Sequence, residues 1–270
     1  MVHKLNRRRF VSGTAAAAAG AAVGLSAPTI LKAASTDSWG DLLGRLEYDG
    51  PPPERKKLPI TTDVDVCGCY DIRDESLMVG EDRGLGNVFV YVRSRGVQIC
   101  PELVESAEPQ VLLDNSGCIF TPHCLKIWWS KQELYTINTR PIADNVAFSP
   151  LGDVPANIIL PKCDDPERPT SATWRFGRAQ FRPLKIICNY HPWEAAYILP
   201  HDNPYVAVSA PDGTFRIPRL PVGELELQFW HERTEYLDIP QWPRGRLTVT
   251  IKPGVNELPA VKLTPSLFEI

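Results

Sequence analysis

Short runs of apolar residues alternate with polar residues along most of this chain, and turn-forming residues separate the runs. A two-residue alternation of this kind predicts β-strands rather than helices. The proline-rich stretch from Ser149 to Pro169 is instead predicted to be a loop. Nine strands are predicted before residue 203: Leu42–Tyr48, Asn87–Arg93, Val111–Leu113, Cys118–Phe120, Leu125–Trp129, Leu134–Asn138, Asn145–Phe148, Ala172–Phe176 and Leu184–Cys188. Many short strands at this spacing predict an all-β fold of the sandwich or barrel type.

The stretch from Asn203 to Glu232 predicts three more strands, joined by a tight turn and a short loop. Successive side chains of a strand point to opposite faces, so alternation selects the residues that face a core. The residues predicted to face inward are Phe215, Ile217, Leu220, Leu225, Leu227 and Phe229.

Composition agrees with a folded β protein. The chain has 270 residues, 43% of them hydrophobic, which is enough for one large domain or two small ones. Its 26 prolines and 18 glycines are spread between the apolar runs and disfavour a helical bundle. It contains no phosphate-binding glycine loop, nucleophile elbow or zinc-protease helix motif. We therefore expect a protein that is not an enzyme.

The N-terminal residues have the pattern of an export signal. Three arginines, Arg7 to Arg9, precede an Ala/Gly-rich apolar segment, which predicts a twin-arginine signal over residues 1–34. The alternatives are an ordinary secretion signal and an uncleaved anchor. Residues 1–33 hold five of the 29 basic residues and no acidic residue, so the mature chain carries a formal charge of −8 (24 basic against 32 acidic). That acidity disfavours a nucleic-acid partner. We expect a periplasmic or otherwise extracytoplasmic protein whose mature chain has no integral membrane span.

Seven cysteines in an exported chain predict disulfide bonds. Because the number is odd, at least one thiol stays outside intramolecular disulfides. If that thiol is Cys188, the other six suffice for three bridges. Cys67 and Cys69 are too close in sequence to bridge each other comfortably, so each is expected to find a distant partner. The alternative for this pair is a clip for a soft metal ion.

The segment from Cys188 to Tyr197 carries the clearest chemical signal. A predicted strand ends at Cys188, and a turn stiffened by Pro192 presents His191 three residues later. A blue-copper site needs a thiolate and an imidazole from such a loop, a second imidazole from a distant strand, and a weak axial ligand that is usually methionine. In this chain Glu194 stands where the methionine is expected.

Several stretches together resemble exported bacterial cupredoxin-like proteins, the plastocyanin- or amicyanin-like group also called methylamine-utilisation-like. The Cys188–Trp193 segment and the closing Trp230–Glu232 are the most specific parts of the resemblance. The segment from Asn203 to Leu263 resembles a small carboxypeptidase-regulatory-like or transthyretin-like β-sandwich. The other matching stretches are Gly44–Gly50, Gly86–Val92, Gly117–His123, Asp144–Val146, Pro204–Val208 and Asp212–Phe215.

The resemblance implies a Greek-key cupredoxin-like β-sandwich over residues 35–202 and the transthyretin-like module over residues 203–270. Residues 35–105 are alternatively expected to pack with that module. It also implies four metal ligands, which correspond in this chain to Asp144, Cys188, His191 and Glu194. Two of the four, Asp144 and Glu194, replace a histidine and a methionine, so the type 1 copper site is expected to be degenerate. His123 is a candidate substitute for the lost histidine.

Two interpretations follow. In the first, the chain binds no metal and is a periplasmic binding or scaffold protein with a protein partner of unknown identity. In the second, Cys188 and His191 bind one copper or zinc ion, either in an altered metal site or for electron transfer to a redox partner.

Overall fold

A computed structural model describes residues 39–269, in which it contains seventeen β-strands and two short α-helices. The strands are β1 (Trp39–Tyr48), β2 (Phe89–Val92), β3 (Gln110–Asp114), β4 (Cys124–Trp128), β5 (Glu133–Asn138), β6 (Asp144–Phe148), β7 (Ala156–Leu160), β8 (Thr170–Trp174), β9 (Leu184–Ile187), β10 (Ala195–His201), β11 (Val206–Val208), β12 (Thr214–Pro221), β13 (Gly223–His231), β14 (Glu235–Tyr236), β15 (Arg246–Ile251), β16 (Gly254–Glu257) and β17 (Val261–Leu263). The helices are α1 (Val64–Cys67) and α2 (Pro101–Glu105). The prediction of an all-β fold is confirmed. The predicted export signal, residues 1–34, lies outside the described residues.

Two sheets enclose a first hydrophobic core. One has the strand order β12-β1-β16, with β17 also paired to β1, and the other has the order β11-β2-β13-β14, with β15 also paired to β13. The early strands β1 and β2 thus hydrogen-bond to strands that follow residue 203. All six side chains predicted to face inward on β12 and β13 are buried in this core, which confirms the alternation argument.

The other two sheets contribute a second core. A five-stranded sheet has the order β4-β10-β9-β6-β7, and a three-stranded sheet has the order β3-β5-β8. Leu113, Leu125, Leu134, Val146 and Ile198 from both sheets are fully or almost fully buried there. This sheet arrangement is consistent with a cupredoxin-like β-sandwich. None of the helices among residues 39–269 has the length and apolar character that crossing a membrane requires.

The predicted strand Cys118–Phe120 is wrong. Residues Ser116–Cys118 form a 3-10 turn instead. The side chain of Asp114 accepts hydrogen bonds from the backbone N–H and the hydroxyl of Ser116, which reverses the chain directly after β3. Asp114 and Thr121 then exchange both backbone hydrogen bonds and close the loop.

The predicted loop from Ser149 to Pro169 contains a strand, β7, which pairs antiparallel with β6. Pro155 and Pro161 flank this strand without interrupting it. Proline is tolerated at such positions because it removes a backbone donor only beyond the ends of the ladder. The prolines of this stretch therefore do not exclude a strand within it.

The structure forms one disulfide where the sequence allowed three. Cys67 and Cys118 are joined, with a Cα–Cα distance of 5.7 Å. A bonded Cys67 rules out the soft-metal clip with Cys69. The described residues include all seven cysteines, and the five free ones are the exposed Cys69 and the buried Cys100, Cys124, Cys163 and Cys188.

Candidate functional site

The pairing of β6 with β9 brings the candidate ligands together. These strands run antiparallel with Ala147 opposite Ile187, so the start of β6 and the end of β9 lie at the same end of the sheet. Asp144 begins β6, and Cys188 follows β9 directly. The chain then turns back, and the N–H of Glu194 donates to the carbonyl of His191 at 2.9 Å. One ligand atom from each of these four buried residues lies within 4.8 Å of the others.

Cys188 is a free thiol in a closely fitted environment. Its Sγ donates to Asp144 Oδ1 at 2.8 Å and accepts the backbone N–H groups of Tyr190 and His191 at 3.3 Å each. His191 Nδ1 lies 3.5 Å from the same sulfur atom. The thiol is therefore surrounded by partners from its own loop and from β6.

A buried arginine occupies the same site. The guanidinium of Arg140 pairs with Asp144 through Nη2 and with Glu194 Oε1 through Nη1 at 3.1 Å. Nη1 also lies 3.5 Å from the sulfur of Cys67. Only 4% of the Arg140 side chain is exposed, and neither carboxylate has any exposed side-chain surface. Arg140 therefore supplies a fixed positive charge to the two carboxylates that replace the expected copper ligands.

The turn before β6 positions this arginine. The backbone N–H of Arg140 donates to the side chain of Asn138 at 2.9 Å, and the Asn138 amide donates to the carbonyl of Ile142 at 2.8 Å. Sequence reasoning treated Arg140 and Pro141 only as turn residues and missed the role of the arginine. The available signal was an arginine four residues before Asp144, which was already expected to be a metal ligand.

His191 is enclosed by a segment from the N-terminal half of the chain. Its Nε2 lies 3.1 Å from Asp63 Oδ2, and the hydroxyl of Thr62 donates to the carbonyl of Tyr190 at 2.9 Å. The Cys67–Cys118 disulfide joins this segment to the turn that follows β3. We call residues 58–72 the cap, because they leave His191 with no exposed side-chain surface.

Acidic and basic side chains face one another in this site. Burial alone would lower the pKa of His191, but the hydrogen bond to Cys188, the charge of Glu194 and the contact with Asp63 together raise it. Burial raises the pKa of Glu194, and the charge of Arg140 opposes that shift. The guanidinium of Arg140 and the imidazole of His191 thus face the carboxyl groups of Asp144 and Glu194. Buried charges persist in proteins when they are paired in this way.

These residues do not fit a type 1 copper ion. Such an ion takes a thiolate and two imidazoles in a trigonal arrangement, and this site offers one imidazole. The carboxylates that would have to serve as the other ligands are already bound to Arg140. Three of the buried polar atoms that lack a protein partner among residues 39–269 lie at this site, namely Asn115 Oδ1, Arg140 Nε and Glu194 Oε2. They mix one donor with two acceptors, which suits a hydrogen-bonding molecule such as water better than a cation.

The structure places His123 in a different cluster. Its Nε2 lies 2.5 Å from Glu232 Oε1, and its Nδ1 lies 3.5 Å from Glu75 Oε2. Burial alone would lower the pKa of His123, but the two carboxylates raise it to about 9. Both ring nitrogens therefore face carboxylates outside the group formed by Asp144, Cys188, His191 and Glu194.

No protein-family model matches the sequence, and no curated protein matches it. Among solved structures, variants of amicyanin are similar over 42% of this chain and 98% of their own. A Cu(I) form is 15% identical with a TM-score of 0.27, a reduced form is 16% identical with 0.28, and an oxidised form is 15% identical with 0.28. Likeness at this level supports no conclusion about function.

Proposed function

We propose that this chain is an exported, cupredoxin-like binding protein in which Arg140 takes the place of a metal ion. One observation carries the proposal: the buried guanidinium bonds to both carboxylates that stand at ligand positions of the expected copper site. A type 1 copper ion would have to displace this guanidinium from both carboxylates. The proposal includes a location outside the cytoplasm and no enzymatic activity, on the sequence arguments given above.

A second candidate function is metal binding for storage or electron transfer. It is favoured by the group of four ligand atoms within 4.8 Å of one another, which includes a thiol and an imidazole. Zinc accepts sulfur, nitrogen and carboxylate oxygen in tetrahedral sites. For zinc to enter, the guanidinium would have to leave both carboxylates and find other partners.

Metal analysis of the purified protein distinguishes the two functions. After incubation with Cu²⁺ or Zn²⁺ and desalting, the wild-type protein is expected to retain far less than one equivalent of either metal. It should also lack the intense thiolate-to-copper band near roughly 600 nm. Stoichiometric metal in the wild-type protein would refute the proposal and favour the second candidate.

Two substitutions at residue 140 sharpen the experiment. Arg140→Ala leaves the carboxylates of Asp144 and Glu194 without their cation, so this variant is expected to bind about one equivalent of zinc. Arg140→Lys keeps a positive charge and is the matched control, which should stay free of metal. Adding Cys188→Ser to Arg140→Ala should weaken zinc binding, because the thiolate is then missing. Equal metal contents in wild type, Arg140→Ala and Arg140→Lys would contradict the role assigned to the guanidinium.

A further inference from the structure

A groove of about 620 Å³ runs between β4 and β11, with residues of the α2–β3 region and of β12 forming its other walls. It is lined by every residue from Cys124 to Trp128 and by every residue from Val206 to Val208. A groove over the face of a strand would touch every second residue, because alternate side chains point to opposite faces. Contact with consecutive residues shows that this groove follows strand edges, where backbone groups are within reach.

The outer edge of β4 faces this groove. β4 ends its five-stranded sheet and, within residues 39–269, forms a ladder only with β10. The N–H of Tyr197 donates to the carbonyl of His123 at 2.7 Å, and the N–H of Trp129 donates to the carbonyl of His201 at 3.1 Å. These bonds show that the backbone N–H and C=O groups of the odd-numbered residues along β4 point toward β10. The backbone groups of Cys124 and Lys126 consequently point away from β10.

The same reasoning applies to β11, which ends its own sheet. Tyr205 accepts from the N–H of Val92 at 3.0 Å, and the N–H of Ser209 donates to Val88 at 2.9 Å. Val208 lies between Tyr205 and Ser209 and next to the bonded Ser209, so its own backbone N–H and C=O point away from β2. Within the described part of the chain no β-ladder joins β4 to β11. Two strand edges thus border one groove without pairing.

The groove also has a recognisable chemical character. Leu103, Val111 and Ile127 contribute apolar surface. The ammonium of Lys126 donates to the carbonyl of Val206 at 2.5 Å, and among residues 39–269 no carboxylate lies within ion-pair distance of it. Lys126 is the exposed residue of β4, and partial desolvation of its ammonium lowers its pKa. One acidic side chain, the exposed Glu108, also lines the groove.

We infer that the groove binds an extended segment of another protein, which adds as a strand along β4 and places a carboxylate against Lys126. Strand addition uses main-chain hydrogen bonds for affinity and side-chain contacts for selectivity, and this groove offers both. The partner segment is apolar and acidic, because the walls are apolar and the lysine lacks a counter-charge. The inference deepens the proposed binding function and rests on it. Since it uses no residue of the Arg140 site, the metal analysis and a peptide titration fail independently of each other.

A pair of synthetic peptides tests this inference on the purified full chain. The first is a fluorescein-labelled, amidated heptapeptide of sequence Val-Thr-Val-Glu-Val-Thr-Val, and the second has lysine in place of glutamate. By fluorescence anisotropy, the wild-type protein is expected to bind the glutamate peptide at least tenfold more tightly. Lys126→Glu should reverse that preference. Lys185→Glu, which changes an exposed lysine on β9 outside the groove, is the matched control and should leave both affinities unchanged.

A third peptide and a spectrum separate strand addition from simple charge attraction. A peptide with proline in place of both threonines cannot donate its full set of main-chain hydrogen bonds and should bind at least tenfold more weakly. Amide NMR shifts on adding the first peptide should concentrate at Cys124, Lys126 and Val208. The inference is overturned if the wild-type protein binds neither charged peptide, or if Lys126→Glu has no effect. It is also overturned if Lys126→Glu abolishes a concentration-dependent dimer, because the occupant would then be a second copy of the chain.

Discussion

Replacing Arg140 by methionine tests whether the guanidinium neutralises the site. Methionine keeps much of the apolar volume but leaves Asp144 and Glu194 without their cation. Removing one partner of a buried ion pair typically costs about 3–5 kcal/mol, because the remaining charge stays buried and uncompensated. Both carboxylates here have no exposed side-chain surface, so solvent provides little compensation. In a chain of this size that loss corresponds to a decrease in Tm of roughly 6–20 °C.

The measurement is urea and thermal unfolding of wild type and variant at pH 7, with a surface control. Arg168 pairs with Asp165 at 2.8 Å, but its side chain is 85% exposed. Arg168→Met is therefore expected to change the free energy of unfolding by less than about 1 kcal/mol. A loss for Arg140→Met no larger than that of the control would refute the reasoning.

The pH dependence of the same variant provides a second readout. Arg140 opposes the upward shift that burial causes in the pKa of Glu194, so its removal lets that pKa rise further. A carboxyl group whose pKa is higher in the folded state than in the unfolded state stabilises the fold when protonated. The deficit of Arg140→Met should therefore be largest near neutral pH and shrink as the pH falls toward about 4, the ordinary pKa range of carboxylates. A deficit that stays constant over this range would indicate lost packing instead of lost charge compensation.

Two other predictions concern the links that hold loops in place. The pKa of His123 is raised to about 9, so its contacts with Glu232 and Glu75 stabilise the fold fully below about pH 6.5 and lose that effect as the pH rises through 9. In urea unfolding measured across this pH range, the wild-type protein should lose up to about 3 kcal/mol of unfolding free energy. The variant His123→Gln should not show this loss. The Cys67–Cys118 bond closes a loop with a sequence separation of 51 residues, so Cys67→Ser should lower the free energy of unfolding by about 4 kcal/mol in the chain-entropy estimate. The same variant should show faster amide hydrogen exchange in the cap. Unchanged exchange would show that the disulfide does not hold the cap in place.

The sequence predicted the strands well where one face of a strand is buried. On β12 and β13 most apolar residues follow a two-residue period, and all of the side chains assigned to the core are buried. The exception is Leu220, which follows Ile217 by three residues because Arg219 between them has a φ of 55°. The alternation of apolar and polar residues was less informative at β7. There Ala156 and Leu160 are buried at the two ends of the strand, and the residues between them are partly or fully exposed. An edge strand with one neighbour needs little hydrophobic alternation, so its flanking prolines dominated the pattern.

The turn before β4 was missed for a different reason. Cys118 and Phe120 are both fully or almost fully buried, as alternation required, but Cys118 has a φ of 59° and follows Gly117 at 67°. Burial of alternate residues therefore came from a left-handed turn. Cys118 is also bonded to Cys67, and nothing local in the sequence indicates which cysteine is its partner.

At the candidate site, the sequence identified the residues at ligand positions but not the residue that pairs with them. The loop from Cys188 to Glu194 is contiguous in sequence, so its residues were readily recognised as a group, and the resemblance supplied Asp144. Arg140 belongs neither to that loop nor to the resemblance, and its role depends on charges that lie 4 and 54 residues away and meet only after folding.

The substitutions at ligand positions are best understood as one set. Asp144 and Glu194 would each be costly when buried alone, and Arg140 would be costly without them, because isolated buried charges are strongly disfavoured. Each of the three residues therefore makes the other two tolerable. Replacing only Asp144 by histidine and Glu194 by methionine would leave the buried guanidinium of Arg140 without a counter-charge. A copper site in this fold consequently requires replacement of Arg140 as well, and a sequence comparison limited to ligand positions would not reveal that requirement.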